Sequence, residues 1–237
     1  MSNAITDLLN SCADFVRLRV ASPCLLCAAR ARGDLLCPAC AADLPRLAAP
    51  ACPHCARPGV AGPCGNCLKD PPAFERTEAV FEYAFPLDTL IQQLKYSGVL
   101  AIAGWLGERL MERVAVRPPA EWPDLLLSMP LHPRRLSERG FNQAALIAER
   151  LARRMDRPHR PHLARRIRDT PPQVGLGQAE RRRNPRGAFE CDSSLSGQRI
   201  ALIDDVMTTG ASLDSLARAA RAAGARSVEA WVVARAR

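Results

Sequence analysis

Between Ile200 and Leu213 an unbroken apolar stretch runs into two adjacent acids and then into Val206-Met207-Thr208-Thr209-Gly210-Ala211-Ser212, which opens a helical pattern. This segment constrains the fold more than any other. An apolar run that does not alternate is typical of a strand covered on both faces, and such a strand followed by a tight turn and a helix belongs to a parallel α/β sheet. At the carboxyl end of a parallel strand the turn presents successive backbone N–H groups and a helix N-terminus, which together attract phosphate. Thr208, Thr209 and Ser212 add hydroxyl donors, and Gly210 permits a close approach that a side chain would obstruct. Asp204 and Asp205 are placed to accept from two vicinal ribose hydroxyls, with one of them also available to a Mg2+-bound pyrophosphate. The bland alternative is an ordinary strand-to-helix turn capped by a threonine.

The flanking pattern extends the same architecture. Periodicity predicts a strand over 79–85, helices over 87–95 and 102–114, a strand over 125–129, a basic loop over 130–140 and a helix over 143–154 with Asn142 as its N-cap. A strand over 199–203, a helix over 211–223 closed by Gly224 and a strand over 227–233 complete a second βαβ unit, so the sheet is expected to be mostly parallel and flanked by helices. The stretch 165–188 lacks sustained periodicity, and its length marks it as functional or mobile. Residues 4–20 carry Ile5, Leu8, Leu9, Cys12, Phe15 and Val16 at helical spacing, predicting a short amphipathic helix.

Nine of the ten cysteines precede residue 70, and eight of them form four Cys-x-x-Cys pairs: Cys24/Cys27, Cys37/Cys40, Cys52/Cys55 and Cys64/Cys67. From Cys24 to Pro72 helical and strand periodicity disappear, leaving a stretch too poor in core to hold itself together without staples. Nothing in the chain approaches eighteen consecutive apolar residues, and Asp7, Asp14, Arg17 and Arg19 interrupt the stretch before Cys24, so neither a membrane span nor a signal peptide is expected. The expected location is therefore the cytoplasm, where thiols stay reduced and paired thiolates point to metal. Four sulfurs surround Zn2+ tetrahedrally at about 2.3 Å in a closed structural site. Adjacent pairing assigns one ion to Cys24, Cys27, Cys37 and Cys40 and another to Cys52, Cys55, Cys64 and Cys67; spacing leaves interleaved pairing open, as it does an iron–sulfur cluster or a redox dithiol. The expected organisation is a helix over 1–22, a zinc-ribbon module over 23–72 and an α/β domain over 73–237.

Charge is concentrated. Residues 134–186 hold 15 arginines against five acids, whereas the whole chain carries a net charge of +9. Such a segment fits a polyanionic partner, either the phosphates of a small ligand or a nucleic-acid backbone, or else a solvated face in an arginine-rich chain. The only aromatic residues within or near it are Phe141 and Phe189, a thin platform for stacked bases.

The run Ala201 to Leu213 resembles the signature of type I phosphoribosyltransferases. Together with Pro130-Leu131-His132-Pro133-Arg134-Arg135, Arg139-Gly140-Phe141-Asn142-Gln143-Ala144, Arg168-Asp169-Thr170-Pro171-Pro172-Gln173 and the cysteine pairs, it resembles the ComF family over nearly the whole chain. The resemblance implies a phosphoribosyltransferase-like α/β domain with a zinc-ribbon cap, acting in natural competence, where imported single-stranded DNA is handled in the cytoplasm. It implies phosphoribosyl pyrophosphate as ligand, with Arg134 and Arg135 at the pyrophosphate, Asp204 and Asp205 at the ribose, and Thr208, Thr209, Gly210, Ala211 and Ser212 at the 5′-phosphate. It also implies that 168–186 closes over the site. Three functions fit: an active transferase of nucleobase salvage, a sensor that binds phosphoribosyl pyrophosphate without turnover, and a single-stranded DNA binder. The sequence names no acceptor base, general base or protein partner.

Overall fold

The computed structural model describes residues 22–31, 33–168 and 187–236. The helix expected over 4–20 and all but the first residue of the closing segment 168–186 lie outside them. Among the described residues, no helix is long and apolar enough to cross a membrane.

In chain order the elements are α1 (Pro38–Ala42), α2 (Gly65–Lys69), β1 (Thr77–Glu82), α3 (Leu87–Ser97), α4 (Ala101–Val114), β2 (Leu125–Ser128), α5 (Pro133–Arg139), α6 (Gln143–Met155), β3 (Ala164–Arg166), β4 (Phe189–Cys191), β5 (Arg199–Met207), α7 (Ala211–Ala222) and β6 (Ser227–Arg235). The main sheet has the order β1-β6-β5-β2, and every neighbouring pair in it is parallel. The central strands are apolar on both faces because helices cover both. Phe81, Leu126, Ile203, Trp231 and Val233 share one buried cluster with the apolar sides of α3, α4 and α6. Leu127, Leu202, Val228 and Val232 share the other with α7.

The cysteine-rich stretch builds no core of its own. Cys24, Leu36 and Leu44 join the first cluster, and Cys52, Cys55, Cys64 and Cys67 join the second beside Phe74. Burial of these apolar groups is thus shared with the α/β domain, which relieves the small stretch of the need to enclose an interior.

Two departures from the sequence reading bear on function. The expected basic loop contains α5: Pro133, at the helix start, has its φ set for the helix and lacks only an N–H that would be orphaned there, and Gly140 closes the helix in the left-handed conformation at φ 79°. The strand expected to end at residue 203 runs on to Met207, because β6 is equally long and keeps pairing with it, Asp204 opposite Val232 and Met207 opposite Arg235. On its other side β5 loses its neighbour sooner, since β2 stops with Ser128 opposite Ile203. The acids therefore lie within a strand, just past the end of the strand beside it. The stretch expected as loop over 165–188 begins within β3 and stops just before β4, and these two strands pair as an antiparallel ribbon.

Candidate functional site

The early end of β2 opens a crevice at the carboxyl ends of the sheet. Met129 N donates to Ile203 O at 2.8 Å, the last tie between the two strands, and the chain then turns away. Asn142 fixes the turn to the next helix: its Nδ2 donates to Met129 O at 3.0 Å, while its Oδ1 accepts from Ala144 N at 3.0 Å. This is the expected N-cap. The result is a cavity of about 500 Å³ whose walls include Asp204 from β5, Thr208 and Gly210 from the β5–α7 turn, Ala211 and Ser212 from the start of α7, Leu131, Arg135 and Arg139 from the region of α5, Gln92, Lys95 and Tyr96 from α3, and Tyr83 and Arg166.

The two acids have different surroundings. Asp205 is 3% exposed. Lys95 Nζ lies 2.5 Å from its Oδ2, and Gln143 Nε2 donates to its Oδ1 at 3.3 Å. Gln143 is held in turn by Arg139, whose Nη1 donates to Oε1 at 2.6 Å. Burial pulls the Asp205 carboxyl upward, but the Lys95 ammonium outweighs it and holds the carboxyl below the ordinary aspartate value. Lys95 is shifted upward, because the charges of Asp205 and then Asp204 outweigh its own burial. Asp204 is half-buried, and its Oδ1 accepts from Asp205 N at 2.9 Å. Its burial, and next the negative charge of Asp205, push its carboxyl well above the ordinary value, and the nearby Lys95 ammonium pulls it down only in part. The site thus holds one carboxylate already neutralised by protein and a second that favours any arriving cation or hydrogen-bond donor.

Of the residues singled out from sequence, Asp204, Asp205, Thr208, Gly210, Ala211, Ser212 and Arg135 converge on this cavity. Thr209 lines a neighbouring hollow of about 730 Å³ beside Cys55 and Cys64, and its hydroxyl accepts from Ala211 N at 3.3 Å. Arg134 points along the exposed side of α5, where its Nε lies 3.3 Å from Glu138 Oε1 one turn on. Lys95, Gln143, Tyr83, Tyr96 and Arg166 were not anticipated in this role. One signal was available: Lys95 is one of only two lysines in an arginine-rich chain, and its ammonium is a compact charge suited to a single carboxylate oxygen.

The eight paired cysteines gather as two tetrads, Cys24, Cys27, Cys37 and Cys40 and then Cys52, Cys55, Cys64 and Cys67, with all sulfurs of a set within 4.8 Å of one another. This is the adjacent-pair scheme. Cys27 Sγ and Cys37 Sγ are 3.7 Å apart, as are Cys55 Sγ and Cys64 Sγ. Sulfurs about 2.3 Å from a common ion at tetrahedral angles would be roughly 3.8 Å apart, whereas a disulfide needs about 2.05 Å. The donor set and its spacing fit a closed structural metal centre in each tetrad. Backbone amides aim at the sulfurs, Cys64 N lying 3.3 Å from Cys52 Sγ. His54 hydrogen-bonds through Nδ1 with Glu75 O at 2.8 Å, so that nitrogen is committed to the backbone.

No protein-family model matches the chain. DNA utilization protein YhgH of Escherichia coli strain K12 is 36% identical over 189 residues, which span 78% of this chain and 83% of that protein. Competence protein F of Haemophilus influenzae is 33% identical over 211 residues, spanning 85% of this chain and 90% of that one. Among solved structures, a purine phosphoribosyltransferase from Pyrococcus horikoshii aligns with 55% of this chain and 82% of its own, at 15% identity and a TM-score of 0.35.

Proposed function

The chain belongs to the competence protein F, or ComF, family, and on that premise we propose that it binds phosphoribosyl pyrophosphate in the crevice beyond β2 and serves the handling of single-stranded DNA in the cytoplasm. The observation that carries the ligand reading is the convergence in one cavity of a helix N-terminus, the Asp204 carboxyl and arginines from separate elements.

In this reading the amides and hydroxyls between Thr208 and Ser212 hold the 5′-phosphate, where the positive end of the α7 dipole adds to the attraction. Asp204 accepts from the ribose hydroxyls. Asp205, whose carboxyl is held by Lys95 and Gln143, ties the end of β5 to α3 and α6 instead of touching the sugar. Arg135, Arg139 and Arg166 face the pyrophosphate, whose charge they offset as planar, permanently ionised groups. Asp204 also fits Mg2+, a cation that takes one or two carboxylates and fills its remaining positions with phosphate oxygens and water, and that would neutralise the pyrophosphate when bound. Zn2+ in the two cysteine tetrads would staple residues 23–72 internally, while shared apolar burial holds that stretch against the domain formed by 73–237.

Titration calorimetry with phosphoribosyl pyrophosphate and Mg2+ tests the ligand. Saturable one-to-one heat is expected, and an absence of binding at millimolar ligand would end the proposal. Assaying pyrophosphate release against free nucleobases then separates a transferase from a protein that only binds. An oligonucleotide titration across salt concentrations addresses DNA, because a phosphate-dominated complex weakens steeply as salt rises.

A further inference from the structure

The chain has two tyrosines, and both stand at the same cavity. Tyr83 follows the end of β1. Tyr96 sits in the last turn of α3 and is 73% exposed. A single exposed apolar ring is ordinary, but this one has charged company. The Arg139 guanidinium lies 5.8 Å from the centre of the Tyr96 ring, and the preceding residue, Lys95, reaches inward to Asp205. One end of α3 thus supplies both an anchor for the acid pair and a ring on the cavity wall, while Arg139 joins the two through Gln143. Beside them Gln92, also exposed, offers an amide with both donor and acceptor atoms.

We propose that Tyr96 and Arg139 form a ledge on which a nucleobase stacks, so that the site discriminates base-bearing ligands from bare sugar phosphates. The inference rests on the reading of the cavity as a ribose-phosphate site. A sugar held at Asp204 has a substituent that must leave through the mouth, and an exposed aromatic face with a guanidinium beside it gives a flat π-system two partners there. Neither partner reads a hydrogen-bonding pattern, so the ledge accepts purines and pyrimidines alike. This suits a protein meeting DNA of any sequence. The base arrives either on a mononucleotide or on a single strand; its chemistry at the ledge is the same.

The test compares intact wild-type protein with Tyr96→Ala and Tyr96→Phe, using ribose 5-phosphate, adenosine 5′-monophosphate and a twelve-residue thymidine oligonucleotide as probes. Loss of one stacking partner is expected to weaken base-bearing probes about tenfold. Ribose 5-phosphate should bind all three proteins alike, and Tyr96→Phe should behave as wild type, because the ring face and not the hydroxyl makes the contact. Loss confined to the mononucleotide, or confined to the oligonucleotide, supports the ledge and names its source. Unchanged affinity of Tyr96→Ala for both overturns it. If ribose 5-phosphate fails to bind wild type while Tyr96→Ala still weakens the oligonucleotide, the ledge stands and the ribose-phosphate reading of the cavity falls.

Discussion

Lys95 Nζ rests 2.5 Å from Asp205 Oδ2, joining the end of a helix on one face of the sheet to the strand that carries the candidate site. The pair is buried on the acid's side, with side-chain exposures of 22% for Lys95 and 4% for Asp205. A charge in such a place is tolerated only while it is matched, and that dependence can be measured.

Replacing Lys95 by Met removes the cation and leaves Asp205 buried alone. The expected cost is about 3 to 5 kcal/mol in urea unfolding at neutral pH, and adding Asp205→Asn should recover most of it. Stability should also depend on pH. In the wild type the folded pKa of Asp205 is depressed, so its contribution is present above the unfolded value of about 3.9 and is lost as pH falls through the lower folded value. The folded pKa of Lys95 is raised, so its contribution is full below about 10.4 and fades as pH climbs through the folded value. In Lys95→Met the lone carboxyl has a raised pKa instead, and the deficit against wild type should shrink on acidification. A single variant no less stable than the double one contradicts this account.

Asp204→Asn should weaken phosphoribosyl pyrophosphate binding in the presence of Mg2+ by about 10- to 100-fold, the loss of a charge-assisted contact worth roughly 1.5 to 3 kcal/mol. The protein should remain at least as stable at pH 7, because burial and Asp205 already disfavour the charge on Asp204. Its raised pKa means that the ionised form is gained as pH rises above the ordinary value of about 3.9 and through the folded one. Calorimetry should therefore find Mg2+-dependent affinity growing over that interval in wild type and flat in the variant. Equal slopes would remove Asp204 from the metal.

Freshly purified protein should contain two zinc ions per chain by elemental analysis, one for each tetrad. Cys52→Ser should retain one. Because the second tetrad packs within the cluster that includes Phe74 and α7, its loss should also lower the thermal midpoint. Iron or no metal in the purified protein would refute the assignment.

Gly210 and Gly224 both have left-handed backbone, with φ 82° and 92°, yet their surroundings differ. A Cβ on Gly210 would meet Met207 Sδ at an ordinary 3.7 Å, whereas one on Gly224 would approach Ser196 Oγ to 2.9 Å. Gly210→Ala should therefore cost only the conformational penalty, about 1 to 2 kcal/mol, together with a loss of phosphoribosyl pyrophosphate affinity. Gly224→Ala should destabilise more, since crowding is added, and leave affinity unaltered. Reversal of that order in thermal denaturation and calorimetry would locate the phosphate turn elsewhere.

Much was legible in the chain because it is encoded over a few residues. The Ile200 to Leu213 segment announced a buried parallel strand, a turn and a helix, and its acids and turn residues do line a cavity. Asn142 announced its cap, and four Cys-x-x-Cys pairs announced thiols that gather as two tetrads spaced to hold metal. Features set by distant partners were hidden. The length of β5 depends on β6, and the crevice depends on β2 stopping early. Arg134 and Arg135 are equivalent as letters, but α5 turns one toward Glu138 and the other toward the cavity. The basic window looked poor in aromatic residues until folding brought Tyr96 beside Arg139. Local backbone preference and hydrophobic period act between near neighbours and so survive in a string of residues. Which sulfurs share a centre, which of two acids meets a lysine and which ring stands beside which guanidinium are settled only when burial brings remote segments together.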